Sequence, residues 1–163
     1  MAEQKQPVFE INRIYTKDIS FESPKTPTIF KENHKFKVNV AIDNKVNKVE
    51  DDIHEVLLKI TVTTNIEGKK EDVAYIAEVQ QAGIFTLKEF TAEQITQITN
   101  ATCPQLLFPY AREAISSLVN RGGFPPLYLT PINFEALYAR QLAEGNKAEK
   151  DKSKSKESAG TAH

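Results

Sequence analysis

Four successive segments of this chain alternate apolar and polar residues, and the spacing then turns helical. From Phe9 to Glu22 the odd positions include Phe9, Ile11, Tyr15, Ile19 and Phe21, and the even ones Glu10, Asn12, Thr16, Asp18, Ser20 and Glu22. A period of two over that length predicts a long, half-buried strand. The two prolines of the segment Ser23 to Pro27 end it, because each removes a ladder donor and fixes the backbone. A second alternation sets Phe36, Val38, Val40 and Ile42 against Lys35, Lys37, Asn39 and Asp43, with a polar connection after it. The third, Ile53 to Ile66, puts Val56, Leu58, Ile60 and Val62 on one face. A charged turn around Gly68 leads into Val73 to Gln81, where Val73, Tyr75, Ala77 and Val79 share a face. Four one-faced strands in a row imply a mostly antiparallel sheet.

After Gly83 the apolar spacing lengthens. Thr91, with Gln94 three residues on, reads as a capping box opening a helix. Pro109 reads as the first turn of a second helix ending at Gly122 or Gly123, with one long helix kinked at its prolines as the alternative. Gly123 to Pro131 is an extended, proline-rich connector. A last helix starts near Asn133 and carries Phe134, Leu137, Tyr138 and Leu142 on one stripe. The expected fold is α+β: a four-stranded antiparallel sheet with two main helices packed on one face.

Residues 1–144 read as one domain, and 145–163 as a disordered, lysine-rich tail with almost nothing to bury. The formal charge of -1 argues against nucleic acid as a partner. No window is long and apolar enough to span a bilayer, and the first residues lack the pattern of a signal peptide, so the expectation is a cytoplasmic protein without direct membrane insertion. The lone Cys103 and the scattered His34, His54 and His163 suggest neither a disulfide nor a metal site, and no cofactor is expected. No nucleophile with a base, phosphate loop or paired catalytic carboxylate appears, so the chain reads as a non-enzyme.

Three segments carry a resemblance. Arg13 to Pro24 (RIYTKDISFESP), Glu78 to Phe85 (EVQQAGIF) and Cys103 to Tyr138 (CPQLLFPYAREAISSLVNRGGFPPLYLTPINFEALY) resemble, in one register, the SecB family of protein-export chaperones. The resemblance implies a homotetramer, a dimer of dimers with eight-stranded sheets sandwiching the helices. It implies a chaperone that needs no ATP, holds unfolded secretory precursors and delivers them to the SecA motor. By the same resemblance, Asp18, Glu22, Ile76 and Glu78 form the SecA-binding face, and Ala77, Val79 and Gln81 lie near the interface between dimers, or in ordinary core. The client-groove candidates are Val38, Val40 and Ile42 on the second strand, Leu127 and Leu129 in the connector, and Phe134, Leu137, Tyr138 and Leu142 on the last helix. For each of these, packing within the subunit is the competing account. Two rival functions remain open at this point: a SecB-like chaperone dedicated to one client such as an antitoxin, and a carrier or enzyme using the apolar groove as a pocket.

Overall fold

The structure, a computed structural model, describes residues 3–158. Four strands, β1 (Val8–Glu22), β2 (Phe36–Glu50), β3 (Ile53–Ile66) and β4 (Lys69–Lys88), form one antiparallel sheet in the order β1-β4-β3-β2. The helical part comprises α1 (Ala92–Gln97), a π turn (Ile98–Thr102), α2 (Cys103–Arg121) and α3 (Phe134–Ser158). Alternation set the strands as expected. On β3 the even positions Val56, Leu58, Ile60 and Val62 are fully buried beneath the helices, while the odd positions are half-exposed on the outer face.

Three sequence expectations are corrected. The first concerns β1, whose pairing with β4 shifts register between Ile11 and Arg13 and again between Thr16 and Asp18. Each bulge reverses the parity, so Ile14 and Thr16 point inward and Arg13 and Tyr15 outward, against the odd-inward pattern at the two ends. The second concerns strand length. β2 runs on to Glu50, because Asn44 and Val46 continue its inward face and the connection shrinks to a turn at Asp51 and Asp52. β4 likewise passes Gly83 and ends at Lys88, with Phe85 and Leu87 buried on the same face. Gly83 has a packing role there, since a Cβ on it would lie 2.6 Å from a ring atom of Phe85.

The third correction concerns Pro109, which sits inside α2; the helix begins earlier, with Pro104 in its first turn, and helical backbone runs unbroken from 92 to 121, as in the alternative of one long helix. Pro109 and Gln105, the residue whose carbonyl loses a donor to it, are both exposed, so water can satisfy that carbonyl. The irregularity falls just before Pro104 instead. Pro104 has no N–H to return to Asn100, the turn widens, and the Cys103 N–H reaches back to the Ile98 carbonyl. Asn44 of β2 donates to the Thr99 carbonyl at 3.1 Å, tying this turn to the sheet. The helix start at Thr91 matches the reading, with Gln94 N–H donating to Thr91 Oγ1 (3.2 Å) and Thr91 N–H to Gln94 Oε1 (2.9 Å).

The connector is pinned to α2 by Ser116 Oγ donating to the Leu127 carbonyl at 2.6 Å. Phe134, which opens α3, packs against Phe108 with ring centroids 5.8 Å apart. The boundary drawn at residue 144 falls inside α3, whose backbone continues to Ser158 with side chains 139–152 all exposed. The far end of the tail, residues 159–163, lies outside the described residues.

At the end of α2, a Cβ on Gly122 would stand 2.2 Å from the Phe21 ring, so the helix approaches β1 closely only because that position is glycine. Gly122→Ala is expected to destabilise the subunit by about 1–3 kcal/mol, as overpacking does. A lowered urea midpoint with an unchanged slope would be the signature.

Candidate functional site

Two surfaces with different chemistry lie on opposite faces of the sheet. On the outer face, β1 and β4 bring Asp18, Glu22, Ile76 and Glu78 together: Glu22 stands opposite Ile76, Ser20 opposite Glu78, and Asp18 opposite Gln80. Asp18 and Glu22 are exposed. Glu78 is half-buried and held from β3, with Thr61 Oγ1 donating at 3.0 Å and Lys59 Nζ 3.7 Å away. Asp18 and Glu22 share this face because both follow the second bulge.

Farther along the same face a polar girdle links residues of β1, β3 and β2. The Tyr15 hydroxyl donates to Glu55, Lys17 Nζ lies 3.1 Å from both Glu55 oxygens, and Asn47 Nδ2 donates to Oε1 at 3.1 Å. The contact passes over β4 beside the small, buried Ala82, which stands opposite Tyr15. Burial and then the Glu55 carboxylate push the Tyr15 hydroxyl up to about 12, and the hydrogen bond from Tyr15 holds Glu55 below the usual carboxylate range. The two shifts act at opposite ends of the pH scale. Glu55 contributes stability that is complete above its unfolded pKa and lost as pH falls through its depressed folded value. Tyr15 contributes stability complete below its ordinary value of 10.0 and lost as pH rises toward about 12. Tyr15→Phe is therefore expected to soften both the acid and the alkaline fall of thermal stability. Melting curves from pH 3 to pH 12 that superimpose on wild type apart from a constant offset would contradict this.

The inner face carries the apolar candidates. Val38, Val40 and Ile42 stand opposite Thr64, Val62 and Ile60, facing the helix side of the edge strand β2. Among the described residues no helix covers that edge fully, and Val38 and Val40 remain 39% and 44% exposed. Leu129 and Phe134 are buried, and Leu127, Leu137 and Tyr138 half-buried, so much of their surface is taken up by the subunit's own packing; Leu142 is exposed on α3. Ala77 and Val79 are fully buried in the core. Gln81 is buried as well, its Nε2 donating to the Tyr15 carbonyl at 3.0 Å. These three are occupied within a single chain.

Strand periodicity missed an aromatic cluster at one end of the sheet. Phe124, just past the glycine pair, is its hub, with ring centroids 4.8 Å from Tyr75, 5.4 Å from Phe30, 6.1 Å from Phe36 and 6.4 Å from Phe21. Phe30 remains 52% exposed at the mouth of an open recess that His34, Phe36 and Pro125 also line. No spacing rule announces the cluster, because topology brings the end of β1, the start of β2 and the start of β4 to the same end of the sheet.

The subunit thus carries carboxylates on one side of its sheet and partly uncovered apolar and aromatic surface on the other. The family model described as preprotein translocase subunit SecB matches residues 2–145, and the chain belongs to the SecB family, a family of chaperones. It is 49% identical over 139 residues to the protein-export protein SecB of Marinobacter nauticus, covering 85% of this chain and 82% of that protein. Its identity to the protein-export protein SecB of Ectopseudomonas mendocina is also 49%, over 141 residues and 86% of each. Among solved structures, the fold is similar to the Mycobacterium tuberculosis Rv1957 SecB-like chaperone in complex with a ChAD peptide from the Rv1956 HigA1 antitoxin. The TM-score is 0.64 at 18% identity, over 76% of this chain and 90% of that one.

Proposed function

We propose that this protein is an ATP-independent export chaperone: it binds unfolded secretory precursors in the cytoplasm, keeps them competent for translocation and delivers them to SecA. The observation that carries this reading is the separation of the two surfaces, since a client held on the inner, apolar side leaves the outer, acidic side free for a second partner. Among the described residues no helix is long and apolar enough to cross a membrane.

The mechanism is passive. Each apolar client segment gains roughly 25 cal/mol for every Å² it buries against Val38, Val40 and the aromatic recess, which makes any single contact weak. The working form is a homotetramer, in which several such surfaces act at high effective concentration on one long chain. The exposed Ile11 and Ile19 on β1 and Tyr110 on α2 supply apolar surface for that assembly. Selection is kinetic, because a folded protein hides what the grooves bind and a slow folder exposes it longest. SecA docks on Asp18, Glu22, Ile76 and Glu78 by charge complementarity.

A chaperone dedicated to one client is the second reading. The 49% identity to two protein-export proteins favours the general export role over it. The test is the refolding rate of a chemically unfolded secretory precursor, measured without nucleotide. Refolding slowed in proportion to added protein supports the proposal, and a rate that ignores the protein contradicts it.

A further inference from the structure

We infer that His54 is an acid-sensitive latch on one end of the sheet: neutral, it lets the strands there pack shut beneath the helices, and protonated, it opens that end and exposes apolar surface of β4. Strand pairing places Ile11 of β1, Phe85 of β4, His54 of β3 and Lys48 of β2 in one row across the inner face. His54 is 8% exposed, and among the described residues its Nδ1 is buried without a hydrogen-bond partner. A neutral imidazole carries a proton on one ring nitrogen only, whereas the imidazolium carries one on both. Protonation therefore puts a charged, unpaired N–H into an apolar interior, which costs far more than the bare nitrogen does.

The surroundings do little to offset that charge. Lys48 stands opposite on β2, its Nζ 3.4 Å from the exposed Asp51, and Asp52 lies in the turn between the two strands. Lys48 opposes protonation of His54 more strongly than Asp52 favours it. β1 and β4 add only Ile11 and Phe85 to the row. α2 brings the buried Leu107 close by, 3.1 Å from where a Cβ on Gly83 would stand, and Glu93, the ionisable residue of α1, is exposed. Burial, and then Lys48, hold the His54 imidazole below its ordinary 6.5. The unfolded chain takes up the proton first, so the stability that neutral His54 contributes is complete above 6.5 and is lost as pH falls from there toward the depressed folded value.

The Leu87 N–H reports on the latch. It donates to the Asp52 carbonyl at 2.7 Å beside His54, and the neighbouring Phe85 ring packs on Phe9 with centroids 5.9 Å apart. At the opposite end of the sheet the Glu67 N–H donates to the Lys35 carbonyl, also at 2.7 Å, and serves as the control. One end of a sheet can open without global unfolding. Between pH 7.5 and 5.0 histidine is the side chain that ordinarily changes charge, and His34 lies at the control end beside Phe36, with ring centroids 6.3 Å apart.

The test is amide hydrogen exchange on the full chain at pH 7.5 and 5.0, expressed as protection relative to the intrinsic rate at each pH, together with an NMR titration of the assigned His54 ring. On acidification wild-type Leu87 is expected to lose protection about fivefold or more, and Glu67 less than about twofold. In His54→Gln, which cannot take up a proton, Leu87 protection is expected to change by less than about twofold. Equal losses at Leu87 in the two proteins overturn the latch. So does an equal loss at Glu67 in the wild type, which would mean that the whole subunit loosens at once. If the glutamine variant fails to fold, the titration decides: a ring that titrates below the ordinary histidine value supports the latch, and one that titrates at or above it overturns the latch.

Discussion

Asp18→Lys combined with Glu78→Lys is expected to weaken binding to SecA at least about a hundredfold, because reversing a charge at a complementary interface replaces attraction with repulsion costing several kcal/mol. Both residues lie on the outer face of the sheet, away from the apolar inner surface, so affinity for an unfolded client is expected to stay within twofold of wild type. The fold tolerates the change. Asp18 is exposed, and Glu78 gives up one hydrogen bond from Thr61 and one loose ion pair with Lys59. Partly exposed pairs of that kind are worth about 0–1 kcal/mol. Wild-type binding to SecA is expected to weaken with added salt, since screening acts over roughly 10 Å at 0.1 M. Undiminished SecA binding by the double variant would move the partner site elsewhere.

Phe124→Ala is expected to carry the largest cost to stability, about 3–5 kcal/mol, the usual range for deleting a buried aromatic ring. Phe124 is 5% exposed and its ring contacts Phe21, Phe30, Phe36 and Tyr75, so its loss opens a cavity where three strand ends and the connector meet. The effect extends to function, because Phe30 and Phe36 rest on that ring and line the recess proposed for clients. Client affinity is expected to fall even at temperatures where the variant remains folded. Denaturant unfolding together with client titration at 10 °C tests both halves; a loss of stability with full client affinity would separate the cluster from binding.

Much of the fold was legible because alternation is a local signal. Even-numbered residues of β3 are buried without exception from His54 to Thr64, and no longer-range fact was needed to see it. What failed depended on partners. The parity reversal at Ile14 arises from two bulges that exist only in the pairing with β4, so β1 taken alone looks uniform. Gly83 looked like a strand end because glycine usually weakens strands, whereas the Phe85 ring occupies the space a side chain would need. Pro109 looked like a helix start because the exposure of Gln105, which makes an interior proline tolerable, is not written in the local sequence. Asp18, Glu22, Ile76 and Glu78 came from the family resemblance; strand parity adds only that they share a face, because the two on β1 lie within one bulge-free stretch and the two on β4 are two residues apart. The aromatic hub was not legible, since Phe21, Phe36, Tyr75 and Phe124 are far apart in the chain and meet through topology alone.

Light-scattering mass decides whether this chain holds unfolded precursors as an assembled chaperone. The purified protein is measured alone, with a chemically unfolded secretory precursor, and with the same precursor folded. The expected result is the mass of a tetramer, a stoichiometric complex with the unfolded precursor, and none with the folded one. A monomer whose mass is unchanged by unfolded chains would contradict it.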